Sequence, residues 1–325
     1  DARKASAGSN SDGKQHPNNR VNPEIELMIA RNKKMNSAAS IRNGQGFTPR
    51  RGDIFIATYA KCGTTWTMQI VHQLRSGGDM SFEEITEAMP WDVLALDCGQ
   101  DLDADQKFTP RAFKSHETWK DIAKGEGVKY IYVARNPQDA MLSFYKFLPQ
   151  WMQVDASKIT IEEFVDAIFA GASNSGQIWN HFTDWWSQRE NPNVLWLFFE
   201  DLKADLRGGV LRIAQFMGID PDEELLKRVV EMSHFNYMKE HQSKFDDHFV
   251  FDKVKKQMGL EHATHKATKV RKTGGTVGQG KKSIPPSILK RLAEKWKDVV
   301  EAQTGIASYD ELKKAHKASH PNFYS

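Results

Sequence analysis

From Arg51 onward the chain alternates short apolar runs with longer stretches in which apolar residues recur every three or four positions. The first pattern belongs to buried strands and the second to amphipathic helices. Their alternation is the mark of βα units built on a parallel sheet. Residues 53–59 read as a buried strand. Residues 64–75, with Trp66, Ile70, Val71 and Leu74 on one face, read as the helix that follows, stopped by Gly77-Gly78. Residues 111–114, 129–134 and 193–199 are further strands. Helices are predicted over 137–147, 161–170, 177–189, 203–217, 222–232 and 286–303.

Residues 1–22 carry no large apolar side chain before Val21, so nothing there offsets the entropy of ordering them, and a disordered tail is expected. No repeat or Pro/Gly linker divides the rest, which predicts a single α/β domain over 23–325 with a central parallel sheet flanked by helices. Composition then excludes several classes. With 45 Lys+Arg against 42 Asp+Glu, a net charge of +3 is too small to call for nucleic acid. The longest clean apolar run, residues 194–199, has strand length, so no membrane-spanning helix is expected. Two cysteines, Cys62 and Cys98, supply neither a disulfide framework nor a Cys-rich zinc site, and a reducing, cytoplasmic setting is expected. The chain begins at Asp1, so its start is silent about a targeting segment.

Candidate chemistry concentrates where predicted strands hand over to helices. In Thr58-Tyr-Ala-Lys61-Cys62-Gly63-Thr64-Thr65-Trp66 a strand passes through a lysine and a glycine into a helix N-terminus. Backbone N–H groups and the positive end of the helix dipole converge there, Gly63 permits close approach, and Lys61 adds a full charge, which makes an anion site. The plain alternative is a turn with Thr64 as N-cap. A second junction, Arg135-Asn136-Pro137, follows strand 129–134, with Ser143 two helical turns on. In an open parallel sheet the carboxyl ends of neighbouring strands share one crevice, so Lys61 and Arg135 are expected to face the same ligand. His262 and His265, and the histidines between 241 and 248, lack the glutamate or cysteine partners of a metal site, and no metal is expected.

With these motifs the chain resembles the cytosolic-type PAPS-dependent sulfotransferase family from about residue 51 to 312. The resemblance implies a P-loop-like sulfotransferase fold, and transfer of a sulfonate group from 3′-phosphoadenosine 5′-phosphosulfate (PAPS), as co-substrate, to a hydroxyl or amine. By resemblance, Lys61, Cys62, Gly63, Thr64, Thr65 and Trp66 form the loop for the 5′-phosphosulfate, with Trp66 also stacking on the adenine. Arg135 and Ser143 match the family's 3′-phosphate ligands. Ser233 and Phe235 match a segment near the adenine, and Arg271 and Lys272 match a late phosphate loop. Phe113-Lys114-Ser115-His116 resembles the strand end carrying a sulfonate-facing lysine and the catalytic histidine. Ala60, Cys62 and Phe199 depart from the family pattern, and Phe199 removes a hydroxyl that many members direct at the nucleotide. At a helix start, Cys62 is open to a lowered thiol pKa, but a passive small residue is the favoured expectation.

The implied chemistry is an in-line displacement that needs alignment, positive charge and a base. Lys61 is assigned to the bridging oxygen, Lys114 to the sulfonate oxygens, and His116, with an intrinsic pKa near 6.5, to the acceptor's proton. Two rivals fit less well. A P-loop kinase needs a hydroxyl after its lysine to hold Mg²⁺, whereas Cys62 follows Lys61 and, in the near-match Gly275-x4-Gly280-Lys281, Lys282 stands in that place. A non-catalytic nucleotide-binding protein has no use for His116 and Lys114. A small-molecule acceptor is expected in a pocket made by 79–106, 148–160 and 235–268, which carry no sequence code. Lys272-x3-Thr276-Val277-x3-Lys281 resembles a pairing segment of the family with its last charge reversed, which leaves monomer and homodimer both open.

Overall fold

The structure, a computed structural model, describes residues 22–265, 267 and 275–321. The expected tail lies outside them except for Asn22, whose side chain accepts the Glu24 N–H and caps the helix Pro23–Lys34. That helix has Pro23 in its first turn, Glu24 and Glu26 near its start, and Arg31, Lys33 and Lys34 near its end, in accord with its dipole. It and the next helix, Ala38–Gly46, were not foreseen from the sequence.

Four parallel strands form the centre: β1 Ile54–Ala57, β2 Ala112–Ser115, β3 Lys129–Ala134 and β4 Val194–Phe198. Their order is β2-β1-β3-β4. Both faces are covered, as the continuous apolar runs require. Phe55, Phe113, Tyr130, Tyr132 and Trp196 point to one face and belong to an aromatic core, with Phe55 5.3 Å from Phe113 and Tyr132 4.4 Å from Trp196 between ring centroids. Helices Pro137–Tyr145, Ile161–Phe169 and Ile178–Trp186 contribute Phe144, Phe164 and Trp185 to that core. Ile54, Ile56, Ile131 and Leu197 point the other way, to an aliphatic core shared with helices Thr64–Ser76, Leu206–Met217 and Glu223–Ser233.

Several expected boundaries change. Phe199 and Lys203 both fall in a short helix, Phe199–Ala204, which ends before Asp205. The Asp205 carboxylate accepts the Gly208 N–H and starts a separate helix, so 203–217 is not one element. The helix from Pro286 runs to Lys295 and continues through a wider turn at Trp296–Glu301.

The chain leaves β1 toward β2 on one side, whereas β3 leads to β4 on the other. The switch therefore lies between β1 and β3, where open sheets of this kind form their ligand crevice.

Candidate active site

The loop after β1 is shaped by its backbone. Lys61 has φ 68° and Gly63 φ 102°, and the Cys62 N–H donates to the Tyr59 carbonyl at 3.2 Å. Gly63, not Thr64, is the N-cap, and it brings no side-chain cap to the first turn. Glycine is required there twice over: φ is in the left-handed region, and a Cβ would sit 2.9 Å from Phe199 Cδ2. The Thr64 hydroxyl is paired with that of Thr58 instead of facing outward. Cys62 is fully buried, and burial pushes its thiol up to about 12, so the lowered pKa considered from its position is overturned. Thr65 and Trp66 line the crevice.

Arg135 follows β3, held by the Asn136 cap on the next helix. Its Nη1 donates to the Lys61 carbonyl at 2.8 Å, and its guanidinium lies 4.3 Å from the Phe199 ring centroid. Phe199 is also edge-on to Trp66 at 5.5 Å, so the ring that lost a hydroxyl serves as a packing centre for both residues. Trp66 Nε1 donates to the Ser233 carbonyl at 2.8 Å. Ser233 is buried and acts through that carbonyl, behind the indole, while Phe235 and Met238 line the cavity. Ser143 lines it as well.

Arg271 and Lys272 lie outside the described residues. The segment resumes at Gly275, where an added Cβ would lie 3.0 Å from Phe199 Cζ and 3.9 Å from Arg135 Nη2. Lys203 Nζ donates to the Gly275 carbonyl at 3.0 Å; burial and then the charge of Arg135 lower its pKa. Two cations thus converge where the loop arrives. The near-P-loop glycines do something else: the Gly278 and Gly280 N–H groups donate to the Asp139 carboxylate at 2.7 and 2.6 Å. A carboxylate of the chain itself fills that nest.

His116 follows β2. Its Nδ1 is 2.7 Å from the Thr58 carbonyl, which can only accept, so Nδ1 carries the proton and Nε2 is the nitrogen that is basic in the neutral tautomer. The Trp91 ring stands perpendicular to it at 4.9 Å. Lys114 is 1% exposed, with Nζ 3.2 and 3.3 Å from the two Asp247 oxygens and 3.7 Å from the Trp91 ring centroid. Its charge is balanced by a carboxylate that the sequence did not connect with it. Lys61 Nζ rests 3.6 Å above the Phe147 ring centroid.

One cavity of about 630 Å³ is lined by Lys61, Gly63, Thr64, Thr65, Trp66, Lys114, His116, Arg135, Ser143 and Phe235 together. Cys62 and Ser233 are not on its wall.

With this geometry in place, comparison decides the family: a family model described as a sulfotransferase domain matches residues 51–302. The chain belongs to the sulfotransferase family. It is 32% identical to sulfotransferase 1E1 of Homo sapiens over 211 residues, 62% of this chain and 71% of that protein. It is 33% identical to the amine sulfotransferase of Oryctolagus cuniculus over 202 residues, 59% and 65% of the two chains. The fold is similar to that of retinol dehydratase solved with androsterone and the inactive cofactor PAP, with TM-score 0.66, 20% identity, and 87% and 96% of the chains covered. It is also similar to mouse sulfotransferase SULT7A1 solved with PAP, at TM-score 0.59, 19% identity and 84% and 93% coverage.

Within this sulfotransferase, several wall residues escaped the sequence reading. Asn32 and Ile41 come from the two N-terminal helices, Met35 and Asn36 from the bend that joins them, and Ser173, Asn174 and Ser175 from the turn beside them. Asn174 Nδ2 donates to the Asn32 carbonyl at 2.9 Å, which ties that turn to the first helix. The three segments expected to form the pocket do contribute, through Trp91 and Val93, through Trp151 and Met152, and through Met238 and Asp247. Asp247 could have been suspected only from its partner, 133 residues away.

Proposed function

We propose that this sulfotransferase transfers a sulfonate group from PAPS to a hydroxyl or amine of a small-molecule acceptor, by in-line displacement with His116 as general base and without a metal. The observation that carries the reading is the His116 ring, held by the Thr58 carbonyl with Nε2 as the basic nitrogen, on the same cavity as the Lys61–Trp66 loop and Arg135. The donor set suits a nucleotide with two anionic ends: an uncapped helix start at Gly63 for one, and the Arg135 and Lys203 cations for the other. The similar proteins solved with PAP support the same donor.

Bound PAPS supplies an activated sulfonate and a stable leaving group. The chain's own part is positioning and charge. The loop Gly63, Thr64, Thr65 and Trp66, with Cys62 behind it as backbone, is assigned to the 5′ end. Arg135 and Ser143, with Arg271 and Lys272 beyond the described residues, are assigned to the 3′-phosphate. Trp66, Phe235 and the Ser233 carbonyl that anchors Trp66 form the adenine side. Lys61, poised on Phe147 between the loop and the apolar wall, is assigned to the bridging oxygen. Lys114 is assigned to the sulfonate oxygens, from a position where Asp247 already balances it. Trp91, Phe147 and Trp151 keep water from the acceptor oxygen or nitrogen while His116 Nε2 takes its proton. The same reading includes a cytoplasmic location, no nucleic-acid partner, and a monomer or homodimer. No helix among the described residues is long and apolar enough to cross a membrane.

Replacing His116 by Ala tests the reading. With a neutral-hydroxyl acceptor, kcat is expected to fall roughly a hundredfold or more, the scale of losing a positioned base, with donor affinity nearly unchanged. The wild type should lose rate as the medium is acidified, and the residual rate of the variant should not. A fully active His116→Ala enzyme with the wild-type pH profile would sink the assignment.

A further inference from the structure

The helix Tyr309–Ser319 lies beyond the 51–302 family match, yet it is fastened to the residues around Arg135. Its first residue, Tyr309, is 6% exposed, and its hydroxyl donates to Glu200 Oε2 at 2.7 Å. The other oxygen of the same carboxylate, Oε1, accepts the Asn136 N–H at 3.0 Å. Asn136 directly follows Arg135 and caps the helix that bears Ser143. Glu200 itself follows Phe199, the ring on which the Arg135 guanidinium rests. Two successive turns of the same C-terminal helix are held by Asp201, which pairs with Lys313 at 2.5 Å and Lys317 at 3.0 Å.

We infer that Tyr309 is a positioning residue for the donor nucleotide. It acts through Glu200, which fixes the Arg135-Asn136 backbone and the Phe199 ring beneath the guanidinium. A carboxylate that accepts two directed hydrogen bonds has a defined rotamer, and removing one donor lets it swing and loosens the backbone N–H it holds. Arg135 has only short reach to its anion once Nη1 is committed to the Lys61 carbonyl, so small displacements of its backbone are felt at the ligand. Neither Tyr309 nor Glu200 is on the cavity wall, and the effect is therefore on geometry and not on contact. The inference rests on the proposal that Arg135 holds a phosphate of the donor.

The experiment measures PAP affinity by calorimetry, steady-state kinetics and melting temperature for the full chain carrying Tyr309→Phe, Lys313→Ala or Arg135→Ala. Tyr309→Phe keeps the ring packing and removes only the hydroxyl. It is expected to weaken PAP binding and raise donor KM by roughly three- to tenfold, with kcat at saturation and acceptor KM unchanged. Lys313→Ala, which removes a neighbouring tie of the same helix, is expected to lower the melting temperature slightly and leave PAP affinity unchanged. A Tyr309→Phe enzyme that melts earlier but binds PAP as the wild type does would overturn the inference, as would equal losses of PAP affinity in Tyr309→Phe and Lys313→Ala. If Arg135→Ala alone leaves PAP affinity intact, it is the donor-site proposal that fails. A Glu200→Gln variant, which keeps an acceptor for the Asn136 N–H, should reproduce part of the Tyr309→Phe loss. Its behaving as wild type would also count against the relay.

Discussion

Replacing Gly63 by alanine perturbs two things at once. At φ 102° an L-residue is strained by about 1–2 kcal/mol. The new methyl also lies 2.9 Å from Phe199 Cδ2, so the ring must move, at about 1–3 kcal/mol for a packed site. A total of about 2–5 kcal/mol corresponds to a melting temperature lower by roughly 3–7 °C, at about 1.5 °C per kcal/mol for a chain of 325 residues. Because Phe199 supports both the Arg135 guanidinium and the Trp66 edge, its movement should also raise donor KM. Differential scanning fluorimetry with and without PAP, followed by donor kinetics, reads both effects. The steric part can be separated from the backbone part with Phe199→Leu: in that background the clash is relieved, so Gly63→Ala should cost about 1 kcal/mol less than in the wild type. A Gly63→Ala protein that melts within a degree of wild type with unchanged donor KM would refute the reasoning, and additive costs in the double variant would refute the steric half.

Arg135→Ala and Lys61→Ala should fail differently, the first mainly by raising donor KM and the second mainly by lowering kcat; if both only weaken donor binding, the division of roles is wrong. Asp247→Ala removes the carboxylate that balances the buried Lys114 charge and should cost about 3–5 kcal/mol in denaturant unfolding, whereas the apolar pair Lys114→Met with Asp247→Leu should cost clearly less. Three buried histidines set an acid limit on stability: burial holds His181 down to about 4, burial and Arg75 hold His72 to about 4, and burial and His320 hold His316 to about 3. Stability from these neutral rings is whole above about 6.5 and drains as pH falls toward 4. Asp92, raised to about 8 by burial and then Glu117, binds its proton more tightly when folded and offsets one of them. The net slope is then that of about two histidines, near 1.4 kcal/mol per pH unit each, and a melting temperature that is flat from pH 7 to 5 would contradict it.

The strands were readable because a parallel sheet covered on both faces shows as near-continuous apolar runs. Lys129–Ala134 was placed to the residue, and Gly77 ended the Thr64–Ser76 helix through a left-handed C-cap. That the two junctions would share one cavity was readable because the carboxyl ends of neighbouring parallel strands open on one crevice. Helices Pro23–Lys34 and Ala38–Gly46 were not, since the first buries only Ile25, Met28 and Asn32 and the second only Ser40 and Gly44. The first face has the helical spacing Ile25, Met28 and Ile29 but is broken by the polar Asn32, and the second buries no large apolar side chain to mark a period. The break at Asp205 was hidden because an aspartate inside a helical pattern and one that caps a new helix look alike until the backbone is seen. Pairings such as Lys114 with Asp247, or Asp139 with the Gly278 and Gly280 amides, join segments more than 130 residues apart, and local pattern has no access to them.

Two carbonyls of the loop after β1 face in opposite directions: Thr58 holds the histidine that follows β2, and Lys61 holds the arginine that follows β3. The sheet order, with β1 in the middle, thereby separates two evolutionary problems. Amino-acid drift in the N-terminal helices and in residues 173–175 reshapes one end of the cavity without touching a single tie on the arginine side. On the proposed reading, selectivity for acceptors is open to change there, Ser173 excepted, because its hydroxyl takes a hydrogen bond from Tyr59 of the loop. The loop itself has no such freedom, because a change there is felt by both neighbours. A randomised library confined to Lys33, Asn36, Ile41, Gln45 and Ser175, which line the cavity, and sparing Gly44, where a Cβ would lie 2.5 Å from the Asp92 carbonyl oxygen, is the natural place to redirect this enzyme.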